Sequence, residues 1–363
     1  MKIGILISYI GNFGEKGLYN SQEIGMAKAL YKKGNDVIIY KFISNRKKKD
    51  IEVEKINEGI AIYYVPVQHI GSHGLSDLKI LDKGLDKLIY FSDIQFMLKK
   101  VIKWCDITKT KFIGYVGVIH SNSDKKLFKF ITNMLARRNI KLYKNRLVLA
   151  KTPYVINELK KMKVNNVTLL PVGLDEDLLN QNYLLTDKNI LREKYNLNEQ
   201  DKVVLFIGRL DEEKKPLEAI NIIKSLNKNF KLIIVGKGKL KEKLISKIKE
   251  LEIDDRVTYI ESIPNKDIWE LYHLSNYFIN LNRNEIFGMA ILEAMYYRCC
   301  TIAIDAPGPN YIIEDRVSGY IVKNEDNIKE ILENNNMDFE RIGIMSSKYI
   351  IKNFMWTDIE NSI

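Results

Sequence analysis

Cysteine, long apolar runs and a cleavage signal are scarce or missing in this sequence, and each lack excludes a class of protein. The 363 residues include only three cysteines, too few for a disulfide-stabilised secreted scaffold, so we expect a reducing compartment. No apolar run approaches the roughly 18 residues of a membrane-spanning helix. The opening segment MKIGILISYI is apolar, but no small-residue cleavage site follows it, so we interpret it as a first strand.

Extremes of composition are missing as well. Hydrophobic residues make up 46% of the chain and charged residues 28%, which is typical of a folded globular protein and not of a disordered one. At roughly 150 residues per domain, the length predicts two domains, each large enough for its own core.

Basic residues outnumber acidic residues in only one half of the chain. Residues 1–200 contain 34 Lys and Arg against 20 Asp and Glu, residues 201–363 contain 23 against 26, and the net charge is +11. A basic half favours nucleic acid, anionic lipid or a phosphorylated substrate as partner. A solvated, lysine-rich surface without a partner is an equally good interpretation.

Short apolar runs rich in β-branched residues alternate with helix-length segments, which is typical of parallel α/β sheets. The strands are predicted at 3–8, 36–42, 60–65, 112–119, 147–150, 168–170, 203–207, 231–235, 256–260, 277–281 and 300–304. The helices are predicted to include 21–33, 125–139, 217–226, 239–250, 266–274 and 289–297. The polar stretch 175–202 has little strand character and is the predicted domain boundary. Open parallel sheets bind ligands at the carboxyl ends of their strands, so we expect the site there.

Two loops follow predicted strands and have the composition of phosphate-binding segments. The first, 11–17, has the sequence GNFGEKG, whose glycines allow close approach of the backbone to a ligand, although a plain flexible loop fits as well. The second, 208–216, has the sequence GRLDEEKKP. Here Arg209 offers a bidentate fork and Lys214 a point charge, a combination suited to a diphosphate. A solvated charged loop is the alternative.

The segment NEIFGMAILEAM at 284–295 is the most informative one. We predict a helix that begins near Phe287 or Gly288, so that Glu285 precedes it and Glu293 lies two turns inside it. At 1.5 Å rise per residue, Glu293 is roughly 8–9 Å from the helix start. A nucleotide sugar matches this arrangement, with its diphosphate on the free amides of the helix, Met289 included, and its hydroxyls on the two carboxylates.

These segments resemble glycosyltransferase family 4, which has the GT-B fold. The E-x7-E pattern of the family matches Glu285 and Glu293, and its G-R-L-x3-K loop matches Gly208, Arg209 and Lys214. Weaker matches are PVGLD at 171–175, GKG at 236–238, the block 305–320 and FMW at 354–356. Their order and spacing agree with the family almost from end to end.

The resemblance implies an α/β GT-B architecture of two Rossmann-like domains that face each other across a cleft. The acceptor-binding domain would comprise 1–175 together with a C-terminal helix, about 346–363, that crosses back to it. The donor-binding domain would comprise 176–345. The family transfers sugars with retention of anomeric configuration and needs no metal, so no cofactor is expected.

The resemblance also implies a role for individual residues. Arg209 and Lys214 would neutralise the leaving diphosphate, Glu285 would orient the donor sugar, and Glu293 would hold the ribose. His120 matches the histidine of the family that touches the donor sugar, although a structural histidine fits as well. The catalytic set is therefore Arg209, Lys214, Glu285 and His120. The donor-binding set is Gly14, Gly208, Phe287, Gly288, Met289 and Glu293, with no metal ligands.

The segment 125–144, KKLFKFITNMLARRNIKLYK, is basic and amphipathic. Such a helix can lie on an anionic membrane, but its apolar side can equally pack on the sheet of its own domain. We expect a cytoplasmic protein, with the inner face of the cell membrane as a candidate location.

The expected function is transfer of a hexose-type sugar from a nucleotide sugar, with UDP favoured over GDP, to a glycan or lipid-linked acceptor of surface polysaccharide or glycoconjugate. The alternative is a catalytically inactive GT-B subunit that serves as a binding partner. Nucleic acid is not an expected partner, because the chain has no recognition motif or aromatic RNA-binding pattern.

Overall fold

The computed structural model describes residues 1–10, 21–45, 50–120, 126–334 and 338–359. The chain divides into two compact units. Among the described residues, unit 1 contains 1–10, 21–173 and 356–359, and unit 2 contains 174–355. The chain therefore leaves unit 1 after Gly173 and returns to it at Trp356.

Unit 1 is built on a mainly parallel sheet with the strand order β3-β4-β2-β1-β6-β7-β8-β9, and β5 pairs with β4. Its central strands are apolar on both faces, as expected of strands covered by helices on both sides. The antiparallel strands β3 and β5 both pair with β4. The strands are β1 (Lys2–Ile7), β2 (Asp36–Ser44), β3 (Glu52–Asn57), β4 (Ile60–Ile70), β5 (His73–Leu75), β6 (Lys87–Phe91), β7 (Lys111–Val116), β8 (Leu147–Ala150) and β9 (Val167–Leu169).

The helices of unit 1 connect its parallel strands, and the last of them comes from the far end of the chain. They are α1 (Gln22–Lys32), α2 (Leu98–Thr108), α3 (Lys126–Leu142), α4 (Pro153–Lys161) and α13 (Trp356–Ile359). Gly25 of α1 has no room for a side chain, because a Cβ there would lie 2.1 Å from the indole nitrogen of Trp356. This contact fixes α13 to unit 1.

Unit 2 has an all-parallel sheet with the strand order β12-β11-β10-β13-β14-β15. The order reverses between β10 and β13, so this pair forms the topological switch point of a doubly wound sheet. The strands are β10 (Lys202–Ile207), β11 (Phe230–Val235), β12 (Val257–Ile260), β13 (Tyr277–Asn280), β14 (Cys300–Ile304) and β15 (Tyr320–Val322).

Helices and two 3-10 turns surround the sheet of unit 2. A buried core of isoleucine, leucine, valine and aromatic side chains joins the sheet to α6 and α7. The helices are α5 (Lys188–Lys194), α6 (Pro216–Ser225), α7 (Lys241–Glu250), α8 (Ile268–Leu274), α9 (Met289–Tyr296), α10 (Pro307–Ile312), α11 (Glu325–Glu333) and α12 (Phe339–Asn353). The 3-10 turns are Glu176–Leu178 and Tyr183–Leu185.

The predicted α/β class with two parallel sheets is confirmed, and each strand predicted from the sequence is present. Four strands were missed: β3, β5, β6 and β15. β3 has the polar sequence EVEKIN and lies at a sheet edge, and β5 and β15 have three residues each, so their apolar patterns are weak. The predicted boundary stretch 175–202 contains α5 and both 3-10 turns but no strand before β10. No helix among the described residues is long and apolar enough to span a membrane.

Candidate functional site

Two loops of unit 2 meet beyond the carboxyl ends of β10 and β13, the two strands of the switch point. The loop after β10 contains Lys214, and the loop after β13 contains Glu285. Their side chains form an ion pair, with Lys214 Nζ 2.5 Å from Glu285 Oε2, and both are largely shielded from solvent. The sequence separates these residues by 71 positions, and the parallel sheet brings them together.

Glu285 is held in place by amide groups as well as by the lysine. The Nδ2 atoms of Asn280 and Asn282 donate to Glu285 Oε2 at 3.4 and 3.3 Å. Asn282 also folds the loop, because its Oδ1 accepts a hydrogen bond from the backbone N–H of Asn284 at 2.9 Å. Three donors therefore converge on one carboxylate oxygen, which fixes the carboxylate in a single orientation.

Arg209 takes a different position from Lys214. Its guanidinium pairs with Asp211 and Glu213, each at 3.1 Å, and the side chain is 55% exposed. Exposed ion pairs of this kind contribute little, so the guanidinium can exchange them for other anions at low cost. Asp211 also accepts a hydrogen bond from the backbone N–H of Lys214 at 3.0 Å, which shapes the loop around the lysine.

The helix α9 begins directly after Glu285 and depends on a glycine. Gly288 precedes the helix with φ 102°, a left-handed conformation that strains any residue with a side chain. A Cβ at Gly288 would lie 2.8 Å from Ile291 Cδ1. The first amides of the helix, beginning at Met289, have no partner within the helix and make its N-terminus attractive to an anion. Phe287 is buried beside it.

Close backbone contacts fix these loops against their neighbours. The backbone N–H of Gly308 donates to the carbonyl of Glu285 at 2.7 Å. A Cβ at Gly308 would lie 2.2 Å from the carbonyl oxygen of Phe287, and one at Gly236 would lie 1.8 Å from that of Gly208. Only glycine therefore fits at 236 and 308, and these positions keep the loops of four adjacent strands in contact.

Glu293 lies inside α9 and is nearly buried. The hydroxyl of Tyr272, on α8, donates to Glu293 Oε2 at 2.7 Å. Burial, followed by the charge of Glu293, raises the pKa of Tyr272 well above its ordinary value, so the tyrosine remains a hydrogen-bond donor. Tyr272 in turn stacks on Tyr297, with ring centroids 5.8 Å apart. The carboxylate is thus positioned by a rigid aromatic pair.

Seven of the predicted site residues other than Glu293 lie in unit 2 around these loops, and His120 does not. His120 belongs to unit 1, where its Nε2 atom is 3.7 Å from Glu158 Oε2 and its side chain is exposed. Gly14 lies outside the described residues. The seven are Gly208, Arg209, Lys214, Glu285, Phe287, Gly288 and Met289.

Unit 1 has a polar cluster of its own, which includes His73. The hydroxyls of Ser8 and Tyr90 are 2.6 Å apart, and Gln95 Oε1 lies 3.3 Å from Nδ1 of His73. The His73 ring stacks on Phe96, and burial lowers the pKa of His73. Ser8 and Gln95 follow the ends of β1 and β6, the side of a parallel sheet where ligands bind.

Sequence reasoning also missed three residues that position the carboxylates in unit 2. Asn280 and Asn282 alternate at the end of a buried strand, and asparagine is unusual in such a strand, so this signal was available. Tyr272 lies in a helix of ordinary amphipathic sequence and gave no signal. In the described part of the chain, no three His, Cys, Asp or Glu side chains are grouped as a metal site requires.

Comparisons with known proteins bear on the family and the fold of the chain. The family model described as glycosyl transferases group 1 matches residues 187–338. The chain is 32% identical over 161 residues to the amylovoran biosynthesis glycosyltransferase AmsD of Erwinia amylovora, covering 44% of this chain and 43% of that protein. It is 29% identical over 165 residues, 43% of this chain and 45% of the relative, to the GalNAc-alpha-(1->4)-GalNAc-alpha-(1->3)-diNAcBac-PP-undecaprenol alpha-1,4-N-acetyl-D-galactosaminyltransferase of Campylobacter jejuni. The matches span less than half the length of these relatives.

Solved structures match the whole chain at low identity. Sucrose-phosphate synthase from Thermosynechococcus elongatus has a TM-score of 0.79 at 15% identity and covers 99% of this chain and 96% of its own. Anabaena Alr3699/HepE, solved in complex with UDP-glucose, has a TM-score of 0.71 at 15% identity, with coverages of 99% and 97%. The chain thus has the GT-B fold, and its residues 187–338 match the family model described as glycosyl transferases group 1.

Proposed function

We propose that this protein is a retaining glycosyltransferase that moves a hexose-type sugar from a nucleotide sugar to a glycan or lipid-linked acceptor in surface polysaccharide or glycoconjugate biosynthesis. The observation that carries the proposal is the Lys214–Glu285 pair at the switch point of unit 2, at the start of α9. A cation, a carboxylate and free helix amides at one point match the diphosphate and the hydroxyls of such a donor.

Lys214 and Arg209 would act on the leaving diphosphate. Charge builds up on the leaving group as the glycosidic bond breaks, and groups already in place there stabilise the transition state most. Lys214 is fixed by its pair with Glu285, whereas Arg209 has only exposed pairs to give up. Together with the amides at the start of α9, they would do the work of a metal ion, which the proposal does not require.

Glu285 would orient the donor sugar instead of attacking it. Its Oε2 atom already accepts from Lys214, Asn280 and Asn282. Within the described residues, its Oε1 atom has no partner, so it is the oxygen available to a sugar hydroxyl. A carboxylate restrained in this way would select the hydroxyls of the donor sugar that can donate a hydrogen bond to it.

Glu293 would bind the hydroxyls of the ribose. Tyr272 donates a hydrogen bond to its Oε2 atom and so holds the carboxylate in one orientation. UDP is the favoured nucleotide, and the similarity to a protein solved with UDP-glucose supports this choice. We also propose His120 and Gly14 as donor-binding residues.

Unit 1 would receive the acceptor. It holds most of the positive charge of the sequence, and the polar cluster of Ser8, Tyr90, Gln95 and His73 offers hydrogen-bonding groups. The similarity to a transferase named for an undecaprenol-linked glycan supports a lipid-linked acceptor. We also propose a cytoplasmic location at the inner face of the cell membrane, with segment 125–144 in peripheral contact with it. The unpaired state of the buried Cys105, Cys299 and Cys300 fits this location.

The direct test is to incubate the protein with UDP- and GDP-hexoses, with and without lipid-linked acceptors, and to measure nucleotide release and the anomeric configuration of the product. We expect release of UDP that is insensitive to a metal chelator, and a product with the configuration of the donor. Nucleotide binding without release from any donor would instead support the inactive binding subunit. An inverted product would overturn the retaining assignment.

A further inference from the structure

Lys151, the residue that follows β8 in unit 1, is a half-buried cation held by neutral groups. Its Nζ atom donates to the side-chain oxygen of Gln22, at the start of α1, at 3.1 Å. The same atom lies 4.9 Å from the ring centroid of Tyr115 and 5.7 Å from that of Phe91. Aromatic rings stabilise an ammonium group but do not neutralise its charge.

The charge of Lys151 also lacks a counter-ion. Among the residues that the structure describes, Lys151 forms no ion pair, and Glu23 on α1 is paired with Lys41 at 2.8 Å. Tyr115 remains neutral, because burial, followed by the charge of Asp93, raises the pKa of its phenol well above the ordinary value. An ammonium group has three N–H donors, and Gln22 uses one of them. Donors of Lys151 are therefore available to an anion.

Asp93, in the loop after β6, contacts the same glycine as Lys151. Its Oδ1 atom accepts hydrogen bonds from the backbone N–H groups of Gly117 at 2.7 Å and Val118 at 3.0 Å. The side chain of Lys151 passes over Gly117, since a Cβ there would lie 2.7 Å from Lys151 Cδ and 3.3 Å from its Nζ. In the described part of the chain, Asp93 Oδ2 has no hydrogen-bond partner, so it can accept from a ligand.

These groups lie at the edge of the sheet where a ligand is expected. The strands β6, β7 and β8 are neighbours in the parallel part of the sheet, and Asp93, Gly117 and Lys151 follow their carboxyl ends. Open parallel sheets bind ligands at this edge. A cation with free donors and a carboxylate with a free oxygen thus meet at a binding position of unit 1.

We infer that Lys151 and Asp93 bind an acceptor that carries an acidic group close to a hydroxyl group. Lys151 would donate to the acidic group, a phosphate or a carboxylate, and Asp93 Oδ2 would accept a hydrogen bond from the hydroxyl. The inference rests on the proposed function in one respect, namely that unit 1 receives the acceptor. It narrows that acceptor to an anionic one.

The diphosphate of the donor is the competing ligand for Lys151. The proposed donor site already offers Lys214 and Arg209 to that diphosphate, and both residues belong to unit 2. A diphosphate also has no hydroxyl to donate to Asp93 Oδ2, and the carboxylate would repel it. An acidic sugar or a sugar phosphate satisfies both the lysine and the carboxylate, so the acceptor is the better match.

The experiment is titration calorimetry of the full chain in the presence of UDP, with glucose 1-phosphate, glucuronate and glucose as probes. Glucose 1-phosphate represents a sugar attached to a phosphorylated lipid, and glucuronate represents an acidic sugar of a glycan. We expect one or both acidic probes to bind at least about tenfold more tightly than glucose. The tighter acidic probe identifies the source of the anion. Equal binding of all three probes, or no binding of any, would overturn the inference.

Two variants separate the position of the cation from the net charge. Lys151→Gln should weaken binding of the acidic probes about tenfold and leave the affinity for UDP unchanged. Gly117→Ala keeps the net charge but displaces the Lys151 side chain, so it should weaken the same probes severalfold. The matched control is Lys202→Gln in unit 2, which removes an ammonium group 5.2 Å from the ring centroid of Phe230. Equal losses in Lys151→Gln and Lys202→Gln would contradict the inference.

Asp93→Asn tests the hydroxyl contact. Asparagine keeps an oxygen for the amides of Gly117 and Val118 but replaces the free carboxylate oxygen with a donor. The preference for glucose 1-phosphate over inorganic phosphate should fall severalfold, because only the sugar phosphate has a hydroxyl to lose. An unchanged preference would remove Asp93 from the subsite.

The same titrations distinguish this inference from the proposed reaction. If Lys151→Gln weakens binding of UDP and not of the acidic probes, the donor diphosphate is its ligand and the inference is wrong. If the wild type does not bind UDP but binds the acidic probes through Lys151, the proposed donor site fails and the subsite of unit 1 stands.

Discussion

The charged groups of unit 2 and those of helix α3 in unit 1 are arranged in opposite ways. Around the switch point of unit 2, Lys214 pairs with Glu285, and Arg209 pairs with Asp211 and Glu213. On α3, three cations have no ionic partner among the described residues, and apolar side chains lie exposed between them. Paired groups preorganise a site for one small ligand, whereas unpaired groups beside apolar ones suit an extended surface. The net charge alone does not distinguish these two uses.

The largest effect on activity is expected from replacing Lys214, one of the cations of unit 2 that form ion pairs. Lys214→Gln should lower kcat for sugar transfer about a hundredfold, which is about 2.7 kcal/mol. The reason is that the variant loses a preorganised positive charge that would stabilise the leaving diphosphate. The matched control is Lys215→Gln. Lys215 is the next residue, but its Nζ pairs with Glu325 at 2.8 Å, so we expect near wild-type turnover. Equal losses in the two variants would contradict the assignment of Lys214.

A residue of this site could be predicted from the sequence only where it lies in a recognisable local motif. Lys214 and Glu285 were predicted because each lies in a recognisable motif after a strand, and the sheet register then made them neighbours. Asn280 was missed because a single polar residue at a strand end is not a motif. Tyr272 was missed because its partner Glu293 lies on another helix, and no sequence pattern encodes a contact across 21 residues.

The fold itself was predictable where apolar runs were long, as in β1 and β10. It was not predictable where a strand is defined by its pairing with a neighbouring strand and not by its own apolar pattern. An example is β3, which is polar but pairs with β4. The apolar residues of α3 show the same limit. Their periodicity was visible in the sequence, but which face would be buried depended on contacts with Ile94 and Gln95, far from α3 in the sequence.

Replacing Gly288 tests whether the backbone at the start of α9, next to the Lys214–Glu285 pair, is rigid. Gly288→Ala should lower the free energy of unfolding by about 1–3 kcal/mol, because Gly288 has φ 102° and a Cβ there would meet Ile291. The control is Gly208→Ala, whose nearest contact would be at an ordinary 3.6 Å. Urea denaturation of the two variants measures the difference, and equal stabilities would show that the start of α9 is adaptable.

Tyr272→Phe tests the positioning of Glu293. Loss of one buried hydrogen bond to a carboxylate should weaken UDP binding about tenfold, which is about 1.4 kcal/mol, with a smaller change in kcat. Tyr277→Phe is the control, since Tyr277 is also buried and its hydroxyl has no hydrogen bond among the described residues. Titration calorimetry with UDP measures both. Unchanged affinity in Tyr272→Phe would remove Tyr272 from the account.

The smallest expected effect is a change of stability with pH. It depends on two histidines that are shielded from solvent, and not on the ion pairs of unit 2. Burial lowers the pKa of His73 and of His273, so in both cases the unfolded state binds a proton more readily than the folded state. Stability should therefore be unaffected above the ordinary pKa of about 6.5 and should fall as the pH drops below it. Replacing both residues with glutamine should flatten this part of the curve of unfolding free energy against pH. A curve of unchanged slope would show that other groups control it.

The central claim is that the switch point of unit 2 binds a nucleoside diphosphate through Lys214. The most direct measurement is the ratio of the dissociation constants of UMP and UDP, compared between the wild type and Lys214→Gln. We predict that the wild type binds UDP at least tenfold more tightly than UMP, about 1.4 kcal/mol for the second phosphate, and that Lys214→Gln loses most of this preference. A variant that keeps the wild-type ratio would contradict the claim.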